Sequence, residues 1–319
     1  MKTRVDPDLE KILPLLPLRD AATLTPKRAR DELVALAESR KDVPLPELAA
    51  VKDITVEGAA GPIAARLYAS GKTPAPTIVY FHGGGWVAGD LFTHERQART
   101  LALEADAVVV SVDYRRPPET PFPGAFEDCL AATKWAAANV AALGGDAARI
   151  AVAGDSAGGN LAAAVAQACR GNGGPRLAAQ LLIYPATDLL GRYGVAAENA
   201  KYPSREENAD GYFLTGDAMH FFASQYLPQP KDSEDPRASP LRSHTLAGLP
   251  RAVICTAEFD PLRDEGEAYA DALKRAGVEV AYFREPGMVH GYFGMGAASR
   301  AANAARQRAT AAFKAMLST

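Results

Sequence analysis

The feature that most constrains the fold of this chain is a regular alternation of short apolar runs with helical stretches, from residue 77 onward. An earlier pair of runs alternates apolar with polar residues around a glycine-containing turn, which predicts an antiparallel hairpin. Short apolar strands separated by helices are typical of a mostly parallel sheet that helices cover on both faces. We therefore predict an α/β fold with about eight strands, at residues 51–56, 63–68, 77–81, 108–110, 150–152, 181–183, 252–255 and 278–283. The helices after the hairpin are predicted at about 92–104, 124–141, 157–170, 262–276 and 298–317.

Two segments interrupt this alternation and carry no core-strand pattern. Residues 1–50 hold two short helical patterns that are broken by prolines. Residues 188–227 are rich in glycine, aromatic and acidic residues, with one helical stretch at 215–226. Because active sites of parallel sheets form at the carboxyl ends of the strands, an insertion directly after a core strand is interpreted as a lid.

Composition and charge exclude several classes of protein. The 319-residue chain is 48% hydrophobic and has a formal net charge of −3, with its charged residues scattered. Without a basic stripe or a polybasic run, neither nucleic acid nor an anionic membrane is an expected partner. We find no apolar stretch suited to a signal peptide or a membrane span, so we expect a cytoplasmic protein.

The three cysteines, Cys129, Cys169 and Cys255, are far apart in the chain. This spacing supports neither a disulfide framework nor a zinc site. We interpret all three as buried free thiols and expect no metal site.

Gly154-Asp155-Ser156-Ala157-Gly158 has the G-x-S-x-G pattern of a nucleophile elbow. The motif lies between a predicted strand and an alanine-rich helix, which is the strand–turn–helix context that it requires. In such a turn the hydroxyl of Ser156 is exposed, and the N–H of Ala157 lies at a helix N-terminus, which favours negative charge. The alternative interpretation is a tight glycine-rich turn with an idle serine.

A second glycine motif, His82-Gly83-Gly84-Gly85, follows the predicted strand 77–81. Consecutive glycines offer backbone N–H groups without obstructing side chains, which is what an oxyanion hole requires. The alternative is a flexible loop, but a large aromatic residue directly after the glycines, Trp86, favours a packed one. Gly83 and Gly84 are the best candidates for oxyanion donors, and His82 is interpreted as structural.

A nucleophilic serine needs a base, and the base needs an acid that orients it. The five histidines are His82, His94, His220, His244 and His290. Of these, His290 lies shortly after the last predicted core strand, in the Ser…Asp…His chain order of elbow-containing enzymes. Asp260, after the strand 252–255, is the favoured acid, and its neighbours Glu258 and Asp264 remain open alternatives.

In combination, these motifs resemble the hormone-sensitive-lipase-like family of α/β-hydrolases, the bacterial family IV esterases. The resemblance spans about residues 51–292 and rests on HGGGW (82–86), VDYR (112–115), GDSAGGNLAAA (154–164), Tyr184-Pro185, SPL (239–241), DPLRDEG (260–266) and His290-Gly291. Two departures are mild. Arg116-Pro117 stands where the family usually has Leu-Ala, and Tyr292 follows His290-Gly291 where the family usually has Phe.

The resemblance implies an α/β-hydrolase fold with a catalytic core at 51–187 and 227–319. Residues 1–50 and 188–226 would together form a helical cap over the site. The resemblance also implies a catalytic triad and an oxyanion hole, formed by Ser156, Asp260 and His290 and by the N–H groups of Gly83, Gly84 and Ala157. The expected activity is hydrolysis of short-to-medium acyl-chain esters through an acyl-enzyme intermediate, without a metal or organic cofactor.

Two alternative functions remain open. The same machinery serves amidases, arylformamidases and lactonases, which differ in the leaving group. A few relatives with this fold bind small molecules without hydrolysing them, but they lack the catalytic histidine that His290 provides here. The expected partner is therefore a small ester molecule.

The exposed edge predicted for the last strand, 278–283, further indicates a homodimer through that strand.

Overall fold

A computed structural model describes residues 4–16, 21–171 and 173–318 of the chain. The strands in these ranges are β1 (Ala50–Gly58), β2 (Gly61–Ala69), β3 (Ala75–Phe81), β4 (Val108–Val112), β5 (Gly145–Asp155), β6 (Ala179–Ile183), β7 (Arg251–Phe259) and β8 (Val280–Val289). The α-helices are α1 (Pro7–Ile12), α2 (Pro26–Glu38), α3 (Glu95–Glu104), α4 (Gly124–Ala138), α5 (Ala157–Ala168), α6 (Ala196–Asn199), α7 (Ser204–Glu207), α8 (Gly216–Tyr226), α9 (Arg263–Arg275) and α10 (Arg300–Leu317).

The described strands form one mixed sheet in the order β1-β2-β4-β3-β5-β6-β7-β8. β2 pairs antiparallel with both β1 and β4, and every other neighbouring pair is parallel. The predicted α/β fold, with about eight strands and a leading hairpin, is therefore confirmed. β8 lies at an edge of the sheet, as expected for the last strand. A homodimer through this strand stays a prediction.

Two strands are longer than their apolar runs indicate. β5 begins at Gly145, and its first residues are partly or fully exposed. β8 continues to Val289 through the polar residues Arg284 and Glu285. Apolar runs mark the fully buried parts of strands, so polar extensions at a strand start or on an edge strand are missed.

The sheet buries an apolar cluster on each face, because successive strand residues point to opposite sides. On one face, Val79 and Phe81 of β3 pack with residues of α4, α5 and α9. On the other face, Ile78 and Tyr80 of the same strand pack with residues of α3 and α10. All four side chains are buried, which explains why this strand reads as a continuous apolar run.

Helix α1 packs on the sheet, beside the C-terminal helix. Leu9 is fully buried in the same cluster as residues of α10. The carboxylate of Asp6 accepts hydrogen bonds from the Leu9 N–H at 3.2 Å and from the Ser299 hydroxyl at 2.9 Å, and the Asp6 N–H donates to the Gly287 carbonyl at 2.9 Å. This part of residues 1–50 belongs to the core, which differs from the expectation that the whole segment forms a cap.

Helices α2 and α8 meet over the loop that follows β3. Ala29 of α2 and Phe222 of α8 share a small buried cluster with Val87 and Ala88 of that loop. The Arg30 guanidinium of α2 donates to the Val87 carbonyl at 2.9 Å. The two segments without core strands therefore contact each other next to the glycine motif.

A buried ion pair attaches the insertion between β6 and β7 to helix α9. Arg205 donates to the Glu265 carboxylate at 2.6 Å, and both side chains are almost completely buried. The Arg205 guanidinium lies between the rings of Tyr193 and Tyr202, 4.6 and 4.3 Å from their centroids. Burial disfavours the charged form of Arg205, but the charge of Glu265 and the surrounding groups outweigh this effect and raise the pKa of Arg205. The pair fixes the insertion to the helix that begins three residues after Asp260.

The interpretation of the cysteines as buried free thiols is confirmed for Cys129, Cys169 and Cys255. Within the described ranges, no helix is long and apolar enough to cross a lipid bilayer. In the same part of the chain, no group of three or more His, Cys, Asp or Glu side chains is arranged to hold a metal ion.

Candidate active site

Four strands bring the predicted site residues to one edge of the sheet. Ser156, Asp260 and His290 are the first residues after β5, β7 and β8, and the run His82–Gly85 follows β3. These strands are parallel, with β6 between β5 and β7, so their carboxyl ends lie side by side.

Ser156 has the backbone geometry of a nucleophile elbow. Its φ of 56° and ψ of −118° are unfavourable for a residue with a side chain. The turn is held on both sides, because the Ser156 N–H donates to the Ile183 carbonyl at 2.8 Å and helix α5 begins at Ala157. The strained turn presents the Ser156 hydroxyl to the cavity at the helix N-terminus.

Ser156, His290 and Asp260 form a continuous hydrogen-bonded chain. His290 Nε2 lies 2.9 Å from Ser156 Oγ, and His290 Nδ1 lies 2.7 Å from Asp260 Oδ2. The side chain of Asp260 is fully buried, and its second oxygen accepts the Leu262 N–H at 2.9 Å. This arrangement fixes the carboxylate that orients the imidazole.

The carboxylates left open by the sequence have other partners. Asp264 accepts hydrogen bonds from the Ser204 N–H and from Arg263 Nε, both at 2.7 Å. Glu258 lies 3.5 Å from the guanidinium of Arg284. Asp260 is therefore the member of this group that contacts His290.

One of the three predicted oxyanion donors, Gly83, has another hydrogen-bond partner. The Gly83 N–H donates to Asp155 Oδ1 at 3.0 Å, so this group is already hydrogen-bonded. Gly84, Gly85 and Ala157 line the cavity together with Ser156. The geometry thus argues against Gly83 and in favour of Gly85, beside the predicted Gly84 and Ala157.

Asp155 is a functional candidate that the sequence reasoning missed. Its buried Oδ1 also accepts the Tyr80 hydroxyl at 2.5 Å, and its Oδ2 lies 3.7 Å from His94 Nε2. Burial disfavours its charged form, but His94 and the hydrogen bond from Tyr80 lower its pKa below the usual range. The sequence does offer one sign of this role, because Asp155 ends an apolar strand. A carboxylate buried there requires hydrogen-bond or ionic partners.

The structural interpretation of the residues around the glycines agrees with their contacts. His82 is fully buried and stacked on the ring of Tyr114, with 4.3 Å between the centroids. Burial lowers the pKa of His82 well below its usual value, so the ring is neutral near pH 7. Trp86 stacks on Tyr226 of α8 at 4.6 Å, which is the packed environment expected for it.

A cavity of about 330 Å³ opens over Ser156 and His290. Its apolar walls come from the segments before β1 and between β6 and β7, and include Leu33, Leu36, Phe213, Leu214, Met219 and Phe222. Tyr184 packs against the His290 ring, with 4.6 Å between the centroids. The volume is in the range of small-molecule sites.

The chain matches the α/β-hydrolase fold family over residues 78–294. It is 41% identical to esterase LipI of Mycobacterium tuberculosis over 99% of this chain and 96% of that protein. It is 47% identical to carboxylesterase NlhH of the same organism over 75% of this chain and 73% of that protein. Among solved structures, a hyperthermophilic esterase from the archaeon Pyrobaculum calidifontis superposes with a TM-score of 0.90 at 40% identity, covering 98% of this chain and 99% of that one.

Proposed function

This chain belongs to the hormone-sensitive-lipase-like family of α/β-hydrolase esterases, and we propose that it hydrolyses carboxylic esters with Ser156 as the nucleophile. The observation that carries the proposal is the hydrogen-bonded chain from Asp260 through His290 to Ser156, with distances of 2.7 and 2.9 Å. Ser156 and His290 line a cavity that has largely apolar walls and is large enough for a small ester.

In the acylation step, His290 Nε2 takes the proton of the Ser156 hydroxyl while Oγ attacks the ester carbonyl carbon. The Asp260 carboxylate accepts the Nδ1–H of the imidazolium and stabilises its charge. The tetrahedral oxyanion is held by the N–H groups of Gly84, Gly85 and Ala157. His290 then gives its proton to the departing alkoxy oxygen, which leaves an acyl group on Ser156.

In the deacylation step, water takes the place of the alcohol. His290 removes a proton from the water as its oxygen attacks the acyl carbonyl, and the same N–H groups stabilise the second oxyanion. His290 returns the proton to Ser156 Oγ as the acid leaves, so the enzyme is unchanged at the end of the cycle.

We further propose that α2 and the insertion 188–226 form a cap that selects short-to-medium acyl chains. Apolar residues of both segments line the cavity, and the volume of about 330 Å³ suits a small ester. In this assignment α1 belongs to the core, because Leu9 packs on the sheet.

Hydrolysis of p-nitrophenyl butyrate by the wild type and by Ser156→Ala tests the proposal. We expect steady turnover by the wild type and a loss on the order of 10⁶-fold in kcat for the variant, as is typical when a triad serine is removed. Ser318→Ala, at an exposed position after α10, is the matched control and should retain the wild-type rate. A Ser156→Ala protein that keeps most of the activity would overturn the assignment.

A further inference from the structure

Three cations, Arg40, Lys41 and Arg96, line the cavity over Ser156. Within the described residues, none of the three forms an ion pair with a carboxylate. Most other arginines in this part of the chain do have such a partner, as Arg30 has Glu119 and Arg115 has Asp128. We call Arg40, Lys41 and Arg96 the cationic cluster.

Arg40 follows the C-terminal end of α2 and is partly buried. One of its guanidinium nitrogens donates to the Gly294 carbonyl at 3.3 Å, four residues after His290. Burial and the neighbouring charge of Arg96 lower the pKa of Arg40. Two positive charges thus act on each other without a carboxylate partner among the described residues, an arrangement that an anion would relieve.

Arg96, near the start of α3, is held in place by backbone groups. Its two terminal nitrogens donate to the carbonyls of Val43 and Pro44, at 2.5 and 2.8 Å. Carbonyl oxygens satisfy N–H donors but do not neutralise the positive charge. Arg96 is therefore held in position without a carboxylate partner among the described residues, and its partial burial lowers its pKa.

The acidic residues at the cavity do not balance the cationic cluster. Glu95 is paired with Arg66 at 3.1 Å and with Arg99 at 2.6 Å. Asp155 is the buried residue before Ser156, and its carboxylate lies 3.7 Å from His94 Nε2. Glu38 is exposed and forms no ion pair within the described residues, so it offsets one of the three cations. The cations at the mouth of the cavity therefore still outnumber its unpaired carboxylate, in a chain whose net charge is −3.

Apolar side chains surround these charges. Val43, Leu45 and Phe92 line the cavity and are 37%, 41% and 44% exposed. A ligand whose anionic group binds the cationic cluster would therefore need an apolar part that packs on these side chains.

We propose that the cationic cluster binds a carboxylate carried by the ester substrate, at a distance from the ester bond that is cleaved. The substrate class is an ester with an apolar spacer that ends in a carboxylate, on either the acyl or the alcohol side. This inference rests on the proposed esterase function and adds the charge preference of its site. A guanidinium pair suits this ligand, because arginine binds carboxylates through two parallel hydrogen bonds.

The test compares acidic esters with neutral isosteres of the same shape. The acyl-side pair is p-nitrophenyl hydrogen adipate and p-nitrophenyl 6-methylheptanoate, and the alcohol-side pair is 4-carboxybenzyl butyrate and 4-isopropylbenzyl butyrate. The ratio of kcat/KM for the acidic ester to kcat/KM for its neutral isostere is measured for the wild type, Arg40→Gln and Arg96→Gln. Arg149→Gln is the control with the same charge change, because Arg149 pairs with Asp146 near the start of β5, away from the site.

We expect the ratio in at least one pair to fall about tenfold in Arg40→Gln and in Arg96→Gln, the size of one charge-assisted hydrogen bond. Arg40→Lys should recover part of the loss, and added salt should lower the wild-type ratio. Ratios that stay within about twofold of wild type in both pairs, while the neutral esters are hydrolysed, would overturn the charge preference and leave the esterase function intact. If no ester is hydrolysed and Ser156 does not react with a fluorophosphonate, the proposed function itself fails.

Discussion

The carboxylate of Asp155 accepts the N–H of Gly83 at 3.0 Å and thereby links the glycine loop after β3 to the residue before Ser156. The same oxygen accepts the Tyr80 hydroxyl at 2.5 Å, so β3 and β5 share one buried acceptor. The two glycine motifs are therefore held in a fixed relation by a side chain at a variable position of G-x-S-x-G. We infer that Asp155 positions the N–H groups of Gly84 and Gly85 toward Ser156.

Asp155→Ala is expected to lower kcat by about 10²-fold, the loss typical of one oxyanion donor. The substitution leaves the Gly83 N–H and the Tyr80 hydroxyl without their buried acceptor, so the glycine loop loses its anchor. Asp155→Asn is the matched control, because its amide oxygen can still accept both hydrogen bonds, and it should lose less. Steady-state kinetics with p-nitrophenyl butyrate distinguish them, and equal activities for the two variants would contradict the positioning role.

Substitutions at Gly84 and Gly85 should fail for different reasons. Gly84 has a φ of 117°, which disfavours any side chain, and an added Cβ would also overlap the Ala88 carbonyl. Gly85 has a φ of 60°, which is less unfavourable for a side chain, and an added Cβ there would overlap the ring of Phe222 in α8. We expect both alanine variants to lose at least about tenfold in kcat/KM.

The double variant Gly85→Ala/Phe222→Ala should recover part of this activity, since it removes the overlapping ring. Phe222→Ala alone provides the reference for the widened cavity. Gly84→Ala combined with Phe222→Ala should show no recovery, because its strain lies in the backbone. Equal recovery of both double variants would contradict the distinct contacts of these glycines.

Arg205→Met is expected to reduce the free energy of unfolding by about 3–5 kcal/mol. The substitution removes the cation that neutralises the Glu265 carboxylate, whose burial raises its pKa. Arg205→Met/Glu265→Gln should be more stable than Arg205→Met, because it leaves no buried charge without a partner. Urea denaturation monitored by circular dichroism measures both differences, and a single variant as stable as wild type would contradict the role of the pair.

The contact between α2 and the loop after β4 should weaken in acid. Arg30 donates two hydrogen bonds to Glu119, and these lower the pKa of the Glu119 carboxyl from 4.5 to about 2. Because the pKa is lowered in the folded state, this stabilisation is complete above pH 4.5 and is lost as the pH falls toward 2. Glu119→Gln should therefore lower the free energy of unfolding at pH 7 by less than about 1 kcal/mol, because the pair is exposed. At pH 3 the loss should be smaller still.

Urea titrations of wild type and Glu119→Gln at pH 7 and pH 3 check this sign. Glu57→Gln, an exposed position on β1, serves as the control. A difference between wild type and Glu119→Gln that grows on acidification would contradict the assignment.

The sequence predicted the sheet and the order of the site residues because both depend on simple patterns. Strands such as β3 are buried on both faces and therefore read as apolar runs. Parallel strands end at one edge, so a serine, an aspartate and a histidine that each follow a strand must meet there. The remaining ambiguity between Asp260, Glu258 and Asp264 required coordinates, because neighbours in sequence differ in the direction of their side chains.

Two features were beyond the reach of sequence patterns. Which glycine N–H faces the cavity depends on the backbone angles at Gly84 and Gly85 and on the hydrogen bond from Gly83 to Asp155. The placement of α1 depends on which surface Leu9 covers, and helical spacing does not specify that surface. Both results follow from contacts between residues that are distant in the chain.

Covalent labelling with a fluorophosphonate, followed by peptide mass spectrometry, identifies the nucleophile directly. We expect one label per chain, on Ser156, and much slower labelling in His290→Ala, because we propose that His290, 2.9 Å from Ser156 Oγ, activates the hydroxyl as a base. An unlabelled folded protein, or a label on a different residue, would contradict the assignment of Ser156 as the nucleophile.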